Sequence, residues 1–423
     1  MVAIAILALA LLVRLAFLFV HPKPLQSDEL DYDQLGWALE QTGHYAMHGA
    51  PTAFRVPGYP IFIGGVYAFA GRSPMAVKVA QDVLDSLTAL LLYFLLRRRH
   101  ARAAIVAGAG WALFPAAILF TDHLLSETLF TFGVLLFALL VERDRVWMDW
   151  IAGLVLGALV ITKPSALFFA AAIPIGLLRR PSGRSTGAIL TIAVLPLSLW
   201  IFRNVVVMGT PAVTTSIGVN LLVGNNAHAT GGYMAIRPAD GAPAAGGDEP
   251  EADRAAGRVS VRAIRQHPLH ALAVGIRKLV LLTSSEAELA AGTFRAAVPG
   301  VRFRDRYRAV PLWLRILVSA PSAAILLFGI LGLAAGCGGI EGRLFWSLLG
   351  AIALWSFVFF GSSRFRFPVM PLLLAVAAKF AVDAGALLRG MPRSRLLVAA
   401  VACIAVAGIW TGEALVLAGS IAS

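Results

Sequence analysis

Charge is scarce in this chain of 423 residues: Asp, Glu, Lys and Arg make up 14% of it, and hydrophobic residues 59%. Soluble domains carry about 25% charged residues, so a water-soluble enzyme, a disordered tail and a fibrous protein are all excluded. Cysteine is nearly absent. The two present, Cys337 and Cys403, lie in or beside apolar runs and form no metal pattern. No Walker motif, no dinucleotide glycine fingerprint and no Cys/His spacing for a metal occurs, so nucleotide chemistry has no visible site.

What the chain has is long apolar runs, and these imply a polytopic membrane protein. Residues 1–20 are apolar except Arg14, with no basic stretch before them and no small-residue cleavage site after, so they read as a retained first span. Further runs cover about 74–96, 102–120, 123–141, 150–162, 164–178, 187–207, 313–336, 343–361, 367–388 and 395–418. The stretch 150–178 is one helix or two broken at Lys163-Pro164, since proline disfavours helix at the residue before it. Two pieces would each reach only about 20 Å at 1.5 Å per residue. The break nevertheless puts Arg97-Arg98-Arg99, Glu142–Arg145, Arg179–Arg184, Glu341–Arg343 and Arg389–Arg395 on one side. Basic short loops are cytoplasmic, so that side is inside. The expectation is an all-α polytopic membrane protein of eleven spans, one domain over 1–423, with no internal repeat. The net charge of +13 then means basic loops against anionic lipid rather than nucleic acid.

Two long segments fall outside. Segment 21–73 is acidic, with five Asp/Glu against three Lys/Arg. Segment 208–312 carries 12 basic and 8 acidic residues; long loops escape the orientation rule. Within it, 237–253 reads as a flexible surface loop of Gly, Ala, Pro and acids, and 254–283 as helices lying on the membrane surface.

The chemistry-bearing residues gather on this outer side. Ser27-Asp28-Glu29-Leu30-Asp31-Tyr32 is an ordinary helix start, with Ser27 or Asp28 capping a helix to about Gln41. It is also a run of carboxylates that should repel one another and raise their pKa values, suiting a base that takes a proton from a hydroxyl. Phe54-Arg55-Val56-Pro57-Gly58-Tyr59-Pro60 is a Pro-Gly turn, to which Arg55 adds a fork for a lipid phosphate. Asp122, His123, Ser126 and Glu127 sit between two spans; Glu127 is at membrane depth, where a carboxylate is a functional candidate, and Lys163 is its cationic counterpart. Ser362-Ser363-Arg364-Phe365-Arg366-Phe367-Pro368 is a basic loop on the wrong side, which calls for a local anion such as phosphate. Asn220, Gly224, Asn225, Asn226 and Gly231-Gly232-Tyr233 are turn residues whose clustered amides could also bind sugar hydroxyls.

In order along the chain stand Arg14, Asp28-Glu29 with Tyr32, Arg55-Val56-Pro57-Gly58-Tyr59-Pro60, Ser126-Glu127, Thr162-Lys163-Pro164, Arg203-Asn204, Gly224-Asn225-Asn226 and Arg364-Phe365-Arg366-Phe367-Pro368. Over about residues 10–375 this order resembles the GT-C membrane glycosyltransferases of the family 39 type, close to bacterial relatives of the protein O-mannosyltransferases and the lipid A aminoarabinose transferase. Val56 stands where that family often has a second proline, and Lys163 where arginine is also common. The resemblance implies a GT-C-like fold and a polyprenyl-phosphate sugar donor used on the extracytoplasmic face of a bacterial plasma membrane. It implies a catalytic acid at Asp28 with Glu29 beside it, and a donor phosphate held by Arg55 with help from Arg364 and Arg366. Acceptor choice would lie in 208–312.

The resulting expectation is an inverting transfer of a sugar to an extracytoplasmic glycan, lipid or protein. Its acids are Asp28, Glu29 and Glu127, its phosphate ligands Arg55, Lys163, Arg364 and Arg366, and its sugar or acceptor contacts Tyr32, Tyr59, Asn225 and Asn226. No cofactor is firmly implied. A divalent metal is possible, although two neighbouring acids are not a coordination set. The rival readings are a lipid-linked sugar flippase or transporter, which would spread charge through the spans on both faces, and a glycan ligase or polymerase of another membrane fold.

Overall fold

The computed structural model describes residues 1–143, 145–177, 183–236, 248–295, 301 and 303–418. Each apolar run of the sequence is helical. The helices are α1 Val2–Val20, α2 Asp28–Thr42, α3 Gly58–Ala70, α4 Pro74–Leu96, α5 Ala101–Ala112, α6 Pro115–Thr121, α7 Glu127–Glu142, α8 Val146–Thr162, α9 Ala166–Leu177 and α10 Gly183–Met208. The chain continues with α11 Ile217–Gly224, α12 Glu249–Gln266, α13 Pro268–Leu282, α14 Ala287–Phe294, α15 Phe303–Arg308, α16 Leu312–Ala334 and α17 Ile340–Val358. A 3-10 helix, Ser363–Val369, leads into α18 Met370–Gly390 and α19 Arg393–Ala418.

Among the described residues six helices are long and apolar enough to cross a membrane. A seventh crossing is formed if α5 and α6, bent 48° apart at Leu113-Phe114, count as one. The expected eleven is therefore not reached by length and composition, because runs such as 123–141 and 150–178 fold as shorter helices. The break at Lys163-Pro164 is present: Lys163 is extended (φ −149°, ψ 120°) between α8 and α9, as a residue before proline prefers. Apolar side chains cover the outside as well as the core. Leu12, Phe19, Trp147, Leu199, Phe202, Trp313 and Ile404 are all exposed, as an integral membrane protein requires when lipid replaces water.

The core cluster runs through the bundle, with Trp111, Phe114, Phe120, Phe130, Phe137, Phe169 and Phe367 almost fully buried. Phe367 of the 3-10 helix packs on Phe120 with ring centroids 4.2 Å apart. That contact ties the late outer loop to the α5–α6 bend.

The two long segments expected on the outer side are mostly helical. Segment 21–73 holds α2, a hairpin and α3. The hairpin pairs Ala46 with Pro51 and Met47 with Ala50 across His48 and Gly49, whose positive φ of 52° and 79° suits a tight two-residue turn. α3 is an apolar helix of 13 residues that a Pro-Gly turn alone does not announce. Segment 208–312 holds α11 to α15. Its residues 248–253, expected to be flexible loop, instead start α12: Asp248 caps it by accepting the Glu251 N–H at 3.2 Å. Residues 237–247 of that expected loop lie outside the described residues, as do 178–182 of the expected basic loop Arg179–Arg184. α13 buries Val274, Lys278 and Leu282 and exposes Leu269, Leu272, Ile276 and Val280.

Candidate functional site

The first outer segment, the α6–α7 junction, the α8–α9 break and the 3-10 helix meet around one cavity of about 770 Å³. Two other cavities hold only about 10 Å³ each, room for a single water. Asp28, Glu29, Tyr32, Arg55, Glu127, Lys163 and Arg364 all line the large one. Residues more than 300 positions apart in sequence thus share one wall.

Close helix approach makes the meeting possible. A Cβ on Gly58 would stand 2.4 Å from the Thr162 hydroxyl and 2.8 Å from the Ile161 carbonyl. Only a hydrogen there lets the start of α3 rest on the end of α8, and so brings Arg55 and Lys163 to one place. Arg203 fixes the segment before Arg55 from α10, donating to the carbonyls of Thr52 at 2.8 Å and Tyr45 at 2.7 Å. Glu249 at the start of α12 accepts from Thr52 Oγ1 at 2.7 Å and from Ala53 N–H at 3.0 Å.

Cations and carboxylates alternate along the wall. Arg55 Nη2 donates to Asp28 Oδ1 and to Asp31 Oδ2, both at 2.8 Å. Arg364 Nη1 lies 3.5 Å from Asp28 Oδ2, and its Nε lies 3.1 Å from Glu127 Oε1. Lys163 Nζ donates to the same Glu127 oxygen at 2.9 Å. The Arg55 guanidinium also sits 5.4 Å from the Tyr32 ring centre, and the Lys163 ammonium 5.6 Å from that of Phe365. Arg55 Nε is buried with no hydrogen-bond partner among the described residues, a donor still unused.

The carboxylates differ sharply in access. The Asp28 side chain is 30% exposed, Glu29 3% and Glu127 2%. The expectation that crowded acids raise one another's pKa does not hold. Burial pushes Asp28 up, but the Arg55 and Arg364 guanidiniums outweigh it and hold the carboxyl below its ordinary range. Burial also acts against the Glu29 carboxylate, yet His123 and Lys23 bring it down to about 2. Ser27 makes no side-chain cap to α2. Instead Glu29 Oε2 accepts the Gln26 N–H at 2.8 Å.

Other candidates fall elsewhere. Arg366 is buried away from the cavity wall, its Nη2 2.6 Å from Glu286 Oε1 and its Nη1 3.0 Å from the Leu282 carbonyl. Tyr59 is fully buried and donates to Gln81 Oε1 at 2.7 Å; its ring stands edge-on to Tyr32 at 4.9 Å. Asn225 and Asn226 border a small cavity instead. Asn225 donates to the Val358 carbonyl at 2.8 Å and accepts from Lys278 at 2.8 Å, while Asn226 donates to the Leu222 carbonyl at 2.9 Å. Asn225 thus joins the end of α11 to the last residue of α17. Residues not singled out by sequence also reach the cavity. Glu288 accepts the Ser362 hydroxyl, and Glu286 and Arg306 line the opposite wall. Lone charges in a variable segment give no signal of this.

No family model and no curated protein matches the chain. Among solved structures it has several similar ones. The Archaeoglobus fulgidus oligosaccharyltransferase tethered with an acceptor peptide gives a TM-score of 0.47 at 14% identity, over 96% of this chain and 53% of that one. The same archaeal protein, AglB, in complex with an inhibitory peptide and a dolichol-phosphate gives 0.44 at 14% identity, over 96% of this chain and 54% of that one. ArnT from Cupriavidus metallidurans bound to undecaprenyl phosphate gives 0.42 at 13% identity, over 90% of this chain and 79% of that one. The chain thus spans about half the length of the archaeal enzyme.

Proposed function

We propose that this protein is an integral membrane glycosyltransferase that moves a sugar from a polyprenyl-phosphate donor to a hydroxyl-bearing acceptor on the extracytoplasmic face. The observation that carries the reading is the wall of the cavity: a partly exposed carboxylate, Asp28, held between Arg55 and Arg364 beside an apolar bundle. The order of sequence motifs resembling GT-C glycosyltransferases agrees with it.

The chemistry follows from the charges. Polyprenyl phosphate is a stable anion and leaves without an acid if its charge is met. Arg55, Arg364 and Lys163 supply that charge on one side of the cavity. Asp28 accepts the acceptor hydroxyl's proton as that oxygen attacks the anomeric carbon. The glycosidic bond forms as the bond to phosphate breaks, which inverts the anomeric centre in one displacement. Glu127 keeps Lys163 and Arg364 together, since both cations converge on one of its oxygens. Glu29, buried and already bound by three donors, holds the start of α2 rather than a substrate. Tyr32 faces the cavity with the sugar, and Tyr59 supports it from behind. No metal is assigned.

The test is turnover in lipid nanodiscs. The purified protein receives a panel of polyprenyl-phosphate sugars with crude envelope extract as acceptor, and free polyprenyl phosphate is followed by mass spectrometry. The reading predicts release from one donor of the panel, with the sugar on an extract component in the inverted configuration. Transfer of intact lipid-linked sugar across a proteoliposome bilayer, without release, would instead establish a flippase.

A further inference from the structure

The bottom of the site holds a second cluster that proton abstraction by Asp28 does not use. Lys23, in the segment between α1 and α2, places its ammonium 2.7 Å from Glu29 Oε1 and 3.0 Å from His123 Nδ1. Glu29 Oε1 and His123 Nδ1 are themselves 2.7 Å apart. The far ring nitrogen of His123 lies 2.9 Å from Thr293 Oγ1 on α14. The Lys23 and Glu29 side chains are 4% and 3% exposed and His123 11%, so water screens little of this.

A carboxylate oxygen and an imidazole nitrogen converging on one point are donors of the kind a divalent metal takes. Here the point is taken. We infer that the Lys23 ammonium is the resident cation of the Glu29–His123 pair, and that this protein works without a divalent metal at the site. The arrangement around it argues the same way. The next acid, Asp122, is occupied by a second ammonium, Lys78, at 2.7 Å, and Lys78 also lies 3.4 Å from the Lys23 carbonyl. A doubly charged ion would enter beside two ammonium groups in a buried setting, where like charges repel strongly. Asp28, the accessible acid, has one oxygen on Arg55 and the other facing Arg364. Among the described residues no group of three or more His, Cys, Asp or Glu side chains is placed to hold an ion.

An ammonium differs from a metal in what it does there. It donates a directional hydrogen bond to Glu29 at 2.7 Å and supplies no metal-bound water for activation. Lys23 is therefore a positioning residue. Through Glu29 and His123 it joins the chain after α1, the first turn of α2, the α6–α7 junction and α14. Asp28 is the neighbour of Glu29, so the junction sets where the base stands.

The inference rests on the glycosyl-transfer reading only for its activity arm. In the first arm, wild type and Lys23→His are purified in nanodiscs, exposed to excess Zn²⁺ and Mn²⁺, passed through gel filtration and assayed for metal by mass spectrometry. Wild type should retain far less than one equivalent. Lys23→His, which sets a third metal-binding donor beside Glu29 and His123, should retain a stoichiometric equivalent of Zn²⁺ and lose it when His123→Ala is added. A stoichiometric ion in wild type that disappears in Glu29→Gln would overturn the inference. So would a monodisperse Lys23→His that stays free of metal. In the second arm, wild-type donor turnover should be unchanged by EDTA. Loss of turnover with EDTA, restored by a divalent ion, would overturn the inference and leave the glycosyl-transfer reading standing. Absence of turnover under every condition would overturn that reading, while the metal content would still decide the role of Lys23.

Discussion

At the scale of single residues, access and charge separate the carboxylates of the first outer segment. Asp28 and Glu29 both line the cavity, but Asp28 is partly exposed whereas Glu29 is buried against Lys23 and His123. Asp28→Asn keeps the shape and the hydrogen-bond acceptor but removes the proton acceptor. A positioned general base contributes about 10²–10⁴-fold, so turnover should fall by that order while donor binding persists. Arg55→Gln should cost about 10²–10³-fold in the chemical step, the scale of one preorganised donor to a developing anion. Both are read by single-turnover kinetics beside equilibrium donor binding. The pH dependence follows from the sign of the shift. Asp28 is held below the ordinary carboxylate range by Arg55 and Arg364, so in the free enzyme it is already ionised at mildly acid pH. kcat/KM should therefore show no acid limb from Asp28 between about pH 5 and 7. A bell with an acid-side pKa near neutrality would contradict the assignment. Glu29 gives the matching stability effect. Its folded pKa of about 2 lies below its ordinary 4.5, so the stabilisation is full above 4.5 and is lost as pH falls toward 2. Glu29→Gln should flatten that part of a pH titration of thermal stability.

Elements decide whether these residues meet at all. The approach of α3 to α8 depends on Gly58, where a side chain would strike Thr162 and the Ile161 carbonyl. Gly58→Val should destabilise by about 1–3 kcal/mol, the usual range for overpacking. It should also cut donor affinity, because Arg55 and Lys163 would separate. Differential scanning fluorimetry and donor binding check the two effects. Gly224 is tighter still: a Cβ there would lie within bonding distance of the Phe359 carbonyl, so Gly224→Ala should lower thermal stability without entering the cavity. The elements also show what sequence makes legible. Hydropathy located the long apolar helices, because apolar periodicity and length are local signals. Pro164 marked the α8–α9 break for the same reason. The acidic start of α2, Arg55, Glu127, Lys163 and Arg364 stood out because charge is expensive beside lipid. Arg366 stood out equally and yet pairs with Glu286, since a strand of sequence does not say which way neighbouring side chains turn. Asn225 and Asn226 read as sugar contacts, but their amides bind backbone. Lys23 and Glu288 gave no signal, because a single charge acquires meaning only from partners brought by other elements.

The whole molecule holds its spans together with paired charge as well as apolar packing. Arg14 on α1, fully buried, donates through Nε to Asp85 on α4 at 2.8 Å, and through Nη1 to the Ala112 carbonyl at 2.9 Å. Trp111 Nε1 donates to the other Asp85 oxygen at 3.1 Å. Three helices thus converge on one ion pair inside the bundle. Removing one partner strands a charge, so Arg14→Met should destabilise by about 3–5 kcal/mol, whereas Arg14→Met with Asp85→Leu should recover much of the loss. Thermal unfolding in detergent reads both. Charge inside the bundle is matched in this way, while Asp28, Arg55 and Arg364 on the cavity wall remain partly accessible.

The claim at the centre of this account is that Asp28 takes the proton while Arg55, Arg364 and Lys163 hold the phosphate. One experiment on one sample addresses both halves: single-turnover transfer from a lipid-phosphate sugar by wild type and Asp28→Asn in nanodiscs, with donor binding measured in parallel. The account predicts that the variant binds the donor at least as well as wild type and forms product slower by about 10²–10⁴-fold. Equal rates of product formation by the two proteins would contradict it, and would move the search for the base to another group on the cavity wall.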